Sequence, residues 1–180
     1  MRVSRRLGMA LGVALLVASL AGCDWAMFRG GPAGTGVTAD SAVSASNAAS
    51  LAPAWSVPVP GPGGEENLLV EAGGVLLLGN QAYDASTGQG KWTSELIHPA
   101  NVAMGDGLVY GTGTTGPEES REVRALDAAT GQLRWRLQTA SPSGSPIFDG
   151  GLLYQPIRTL RGGGSAVTAI DTKTGTHRFA

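Results

Sequence analysis

The chain has 180 residues with 13 basic and 14 acidic side chains, and 28 glycines and 10 prolines make up more than a fifth of it. That density of backbone breakers argues against a helical bundle, and a single cysteine excludes a disulfide framework. From residue 23 onward ten scattered bases face fourteen acids, a balance of −4, which excludes a nucleic-acid binder that needs a clustered basic surface.

The chain opens "MRVSRRLGMALGVALLVASLAGCDW". Arg2, Arg5 and Arg6 form a basic start, and Leu7 to Leu20 is an apolar run of about fourteen residues, short for a membrane span. The run ends in "LAGC", small residues directly before Cys23, which resembles the bacterial lipobox. The resemblance implies a signal peptide over 1–22, with Cys23 as the first mature residue carrying a diacylglyceryl group on its sulfur. Each acyl CH₂ buried in the bilayer contributes roughly 0.8 kcal/mol, so two or more chains hold the protein at the extracytoplasmic membrane surface without spanning it. "SRRLG" faintly resembles a twin-arginine export signal, with Gly8 where Phe is usual, and leaves the export route open. Asp24 resembles the residue that retains some Gram-negative lipoproteins at the inner membrane; inner versus outer membrane stays open.

Residues 23–54 are predicted to be a lipidated N-terminus and arm. Thr35 to Ser50 is Ala/Ser-rich without a usable period and reads as a loose tether or a surface-laid strip. Trp25, Met27 and Phe28 are costly to expose and are expected to pack on the side or bottom of the body.

From 55 to 180 the pattern is β. "WSVPV", Trp55 to Val59, reads as an edge strand tolerant of its proline. "NLLVE" and "GGVLLLGN" are two strands joined by a glycine turn, followed by a hairpin from Ala82–Asp84 through Thr87–Gly88 to Lys91–Trp92. The second unit places strands at Asn101–Met104, Leu108–Gly111, Val123–Asp127 and Leu133–Leu137. Its loop "GPEESRE" has room for one helical turn. The third offers "SPIFDGGLLYQP" and a strand over Ala166–Asp171.

The hairpins repeat. "AYDASTGQGKW", "ALDAATGQLRW" and "AIDTKTGTHRF" all fit Ala-x-Asp-x-x-Thr-Gly-x-x-x-aromatic, at intervals of 43 and 44 residues. Four short strands per period of that length is the pattern of a β-propeller blade. The Asp is suited to accept N–H groups two and three residues on, the Gly to take the positive φ that ends the turn, and the aromatic to fill the gap between blades.

The motif resembles the tryptophan-docking motif of the pyrroloquinoline-quinone-type (PQQ-like) propeller repeat. Ala82, Asp84, Thr87, Gly88 and Trp92 match it, as do Ala125, Asp127, Thr130, Gly131 and Trp135. The third unit supplies Ala169, Asp171, Thr174 and Gly175, with Phe179 in place of Trp. "DWAMFRGGPAGTG" and "LAPAWSV" look like the lead-in and opening outer strand of bacterial members. The expectation is an all-β propeller of four-stranded antiparallel blades, about three of them in an incomplete ring. Such a ring is expected to be the N-terminal portion of a longer product.

Quinoprotein dehydrogenases of this kind are expected to show a catalytic Asp, an Asn/Asp/Glu calcium set and commonly an adjacent cysteine pair. Here Cys23 is alone, the motif Asp residues serve turns, and His98 and His177 make no metal spacing. The residues therefore lean away from an enzyme and from any metal or cofactor. They favour a membrane-anchored scaffold, similar to outer-membrane assembly lipoproteins, that binds envelope proteins through the loops Thr112 to Glu122 and Ile157 to Ser165. The alternative is the N-terminal part of a PQQ-dependent quinoprotein dehydrogenase, with PQQ and calcium as cofactors.

Overall fold

The computed structural model describes residues 24–37, 43–58, 68–98, 100–113, 121–158 and 164–179. It is all-β, with three antiparallel sheets that resemble propeller blades and do not close into a full ring. The first blade is β1 (Leu69–Ala72), β2 (Val75–Leu78), β3 (Gln81–Asp84) and β4 (Gly90–Thr93), paired in chain order. The second is β5 (Val102–Gly105), β6 (Leu108–Thr112), β7 (Glu122–Asp127) and β8 (Leu133–Gln138). The third adds a fifth strand: β9 (Ser141–Pro142) pairs with β11 (Leu152–Arg158), beside β10 (Ile147–Asp149), β12 (Ser165–Asp171) and β13 (Thr176–Phe179).

The first strands β1, β5 and β10 contact one another between blades, which places them innermost, while β4, β8 and β13 are mostly exposed and lie outermost. Blade two has neighbours on both faces, and β7 accordingly buries five consecutive residues, Glu122 to Leu126. Val70, Leu77, Ile97, Met104, Val109 and Leu126 are central to the core between blades one and two. Tyr110, Val123, Leu153 and Ile170 fill the one between blades two and three. On the outward faces of the first and third blades Leu69, Val167 and Phe179 stay about half exposed.

In each blade the first and third turns lie at one end and are tied together. The amides of Ala85, Ala128 and Thr172 donate to the carbonyls of Gly74, Gly107 and Gly151 at 3.0, 2.9 and 3.1 Å. This turn end is opposite the longer connections, where Thr139 N–H donates to Arg121 O at 2.8 Å.

Two expectations need correction. Trp55 to Pro58 form no strand; three prolines between Pro53 and Pro60 remove ladder donors, and Trp55 is held by its side chain instead. The lead-in, expected on the side or bottom of the body, lies instead along its innermost strands. Glu71 N–H donates to Trp25 O at 2.9 Å and Met104 N–H to Ala26 O at 2.7 Å, so the segment runs along the inner edges of β1 and β5. Met27 is buried there, but Phe28 is 61% exposed. In the arm, Ala48–Ser50 forms one 3₁₀ turn. The helical turn expected within "GPEESRE" falls mainly on 114–120, outside the described residues, and Glu122 belongs to β7.

Candidate functional site

The repeated motif builds one local machine three times. Asp127 Oδ1 accepts the Ala129 and Thr130 amides at 3.1 and 2.9 Å and the Thr130 hydroxyl at 2.9 Å. Asp84 and Asp171 do the same with Ser86 and Thr87, and with Lys173 and Thr174. Bonds that favour the ionised form lower all three carboxyls. Asp84 is held down first by the Ser86 hydroxyl and then by that of Thr87. For Asp127 the Arg134 guanidinium comes first and the Thr130 hydroxyl second. Asp171 is brought to about 2, chiefly by Arg178 and then by Thr174.

The turn then presents its glycine, at φ +72, +71 and +66 for Gly88, Gly131 and Gly175, to an indole from the preceding unit. A Cβ on these glycines would meet Trp55, Trp92 and Trp135 ring atoms at 2.6 to 2.7 Å. Each indole N–H donates across the boundary: Trp55 to Ala85 O at 3.1 Å, Trp92 to Ala128 O at 2.9 Å, Trp135 to Thr172 O at 2.8 Å. Ala82, Ala125 and Ala169 stand opposite Trp92, Trp135 and Phe179 in register, each next to a bulge. The bulge gives the outer strand extra twist, and a small residue opposite leaves the aromatic room. Phe179 is 55% exposed and has its ring 6.4 Å from that of Tyr154.

At the end opposite the turns, β7 carries a pair that the pattern of scattered bases concealed. Glu122 and Arg124 are both 5% exposed. Arg124 Nε donates to Glu122 Oε2 at 2.8 Å and Nη1 to Leu96 O at 2.9 Å, while Gln138 donates to Glu122 Oε1 at 3.1 Å. The sequence signal was position: both residues lie in the strand that is sandwiched on both faces. Of the candidate binding loops, 114–120 and 159–163 lie outside the described residues, as does Cys23.

At the turn end a cavity of about 450 Å³ opens between blades one and two. Its walls include Ala72, Val75, Met104 and Phe148, with Asp24 and Asp106 as its carboxylates. Phe148 reaches it from blade three, packed over the bare backbone of Gly105.

The resemblance noted in the sequence implies a quinone and calcium, to which two histidines and the carboxylates are the available donors among the described residues. Among the described residues no three His, Cys, Asp or Glu side chains converge on one point. His98 Nδ1 accepts the Ala100 amide at 3.3 Å, and His177 Nδ1 pairs with the Thr168 hydroxyl at 2.8 Å.

The structure superposes on quinohemoprotein alcohol dehydrogenase from Comamonas testosteroni with a TM-score of 0.64 and 23% identity, over 87% of this chain and 27% of that one. Quinohemoprotein alcohol dehydrogenase ADHIIG from Pseudomonas putida HK5 gives 0.47 and 25%, over 62% and 19%. BamB from Moraxella catarrhalis gives 0.40 and 16%, over 62% and 38%. No curated protein matches the sequence. The chain thus spans about a quarter of the first dehydrogenase's length.

The leaning away from an enzyme is corrected by the superposition on the Comamonas testosteroni dehydrogenase, whose fold this chain shares over 87% of its length. The absence of an adjacent cysteine pair and a carboxylate set from a chain that covers 27% of that enzyme does not weigh against an enzyme. The family model described as outer membrane protein assembly factor BamB matches residues 81–179, more than half of the chain and all three copies of the docking motif, and the chain belongs to that PQQ-type propeller family.

Proposed function

We propose that the chain is the N-terminal part of an extracytoplasmic, lipid-anchored propeller of the quinoprotein dehydrogenase type. The observation that supports this most is the superposition on the alcohol dehydrogenase over 87% of the chain. That share exceeds the three blades themselves. In this reading Cys23 is acylated, 55–180 builds one wall of the ring, and the seat for PQQ and calcium is completed by further blades.

The test uses the full-length protein. Pyrroloquinoline quinone and calcium are added together and singly, and an artificial electron acceptor is followed with alcohols and aldose sugars. Turnover that needs both additions is the expected result, and its absence under all combinations would overturn the dehydrogenase reading.

A protein-binding role is the second reading, favoured by the description of the matching family model as an outer membrane assembly factor. Its signature is a co-purifying envelope protein that is lost when the loops Thr112 to Glu122 and Ile157 to Ser165 are shortened.

A further inference from the structure

We propose that the turn end of the blades faces the lipid surface, held there by Asp24 to Met27 with no flexible tether between. The inference rests on the acylation of Cys23 put forward above and adds the orientation that follows from it.

The direction of entry is fixed by register. Trp25 pairs antiparallel with Glu71, and β1 runs from Leu69 to Ala72 into the Gly73–Gly74 turn. The lead-in therefore enters at the turn end and runs inward toward the opposite one. Asp24 Oδ1 accepts the Gly73 amide at 3.4 Å, Trp25 O and Ala26 O each accept a strand amide, and the Met27 side chain is 3% exposed. Four consecutive residues are thus bound to the body, beginning with the one directly bonded to Cys23. Consecutive Cα atoms are about 3.8 Å apart, so an acyl group on Cys23 emerges within a few ångströms of the turn end. The Ala/Ser-rich arm follows these pinned residues and cannot act as slack in the anchor.

The same end holds the largely apolar cavity that Asp24 lines. It also carries the three motif aspartates, with Asp24, Asp106 and Glu71, so the surface is acidic where cations do not offset it. An acidic face does not adhere to an anionic bilayer by itself. The orientation is imposed by the short covalent link, and the opposite end of the blades, with Thr93, Glu122 and Gln138, then faces away from the membrane.

The full-length acylated protein is placed in phosphatidylcholine vesicles containing brominated phosphatidylcholine and a minor fraction of phosphatidylglycerol. Single cysteines labelled with bimane are introduced at the turn end, Ala129→Cys and Lys173→Cys, and at the opposite end, Thr93→Cys and Gln138→Cys. All four replace exposed side chains. The two ends are separated by about 20 Å at ~3.3 Å per strand residue, beyond contact quenching. Brominated lipid is expected to quench the turn-end labels severalfold more than the others. Inserting a flexible Gly/Ser stretch between Asp24 and Trp25 should abolish the difference while labelled palmitate is still incorporated. Equal or reversed quenching in palmitate-bearing protein overturns the orientation alone. Absence of palmitate, with loss of vesicle binding, removes the anchor reading and the orientation with it.

Discussion

The Trp92 indole N–H donates to the Ala128 carbonyl at 2.9 Å, although the two residues lie 36 apart in sequence and in different blades. The bond joins the last strand of one repeat to the third turn of the next, and Trp55–Ala85 and Trp135–Thr172 repeat it. The motif therefore stabilises the boundary between blades as much as the hairpin in which it is written. An aromatic that is half-buried at such a boundary contributes area, and its N–H satisfies a carbonyl that the turn leaves free.

Trp135→Ala should cost about 3 kcal/mol, the lower end for a large aromatic because the ring is only half-buried. Trp135→Phe should lose about 1 kcal/mol, mainly the Thr172 bond. Arg134→Ala should stay near neutral, since its side chain is 58% exposed despite its 2.6 Å contact with Asp127. Chemical denaturation of the three variants checks the order; equal midpoints would show that the ring is not structural.

Two glycines with nearly the same backbone should respond differently. A Cβ added to Gly131, at φ +71, would meet the Trp92 ring at 2.7 Å, whereas one added to Gly74, at φ +76, would have nothing within 4 Å. Gly74→Ala should cost only the left-handed conformation, ~1 kcal/mol. Gly131→Ala adds a clash with the indole, and should lose at least twice as much as Gly74→Ala when their melting temperatures are compared.

The repeat period, the four-strand blade and the Asp-centred turn were all legible in the sequence, because each is written in local residue types. Gly88, Gly131 and Gly175 were read as turn formers; that they also seat the preceding Trp was not visible, since that contact spans a whole repeat. Trp55 was expected on a strand, but its prolines prevent the ladder and only its indole follows the pattern. The lead-in was misplaced for a different reason. Trp25 to Met27 is apolar enough to demand burial, but a short apolar run does not say which edge will take it. Arg124 was one of ten scattered bases in the sequence, and its burial follows from the two-sided packing of β7.

Acid should loosen the staples. Asp127 and Asp171 have folded-state carboxyls below the ordinary 3.8, with Asp171 at about 2. A depressed pKa gives stability that is present above the unfolded value and is lost as pH falls through the folded one. Melting temperature should therefore fall between pH 3.8 and about 2. Asp171→Asn keeps an oxygen for the turn amides, and should flatten that part of the profile while lowering stability at neutral pH. Glu71 runs the other way: burial raises it above 4.5 against the Gly74 amide bond, and Asp24 adds to the rise. Its stabilising effect is present at low pH and fades as pH rises through the folded value, so Glu71→Gln should be neutral or stabilising at pH 7 and lose any gain near pH 4.

The Glu122–Arg124 pair should behave as a unit. Both side chains are less than 10% exposed, and Arg124 also satisfies Leu96 O, which holds the connection after β4 against β7. Arg124→Met leaves a buried carboxylate with Gln138 as its one close partner among the described residues, and should cost about 3–5 kcal/mol. Arg136 at 3.9 Å is too exposed and too distant to compensate. Replacing both members, Arg124→Met with Glu122→Leu, removes the stranded charge along with its partner. The double variant should recover much of the loss and show a coupling energy of more than ~1 kcal/mol in a double-mutant cycle. Additive losses would mean that the two side chains stabilise the blade independently, through packing and the Leu96 bond instead of through each other.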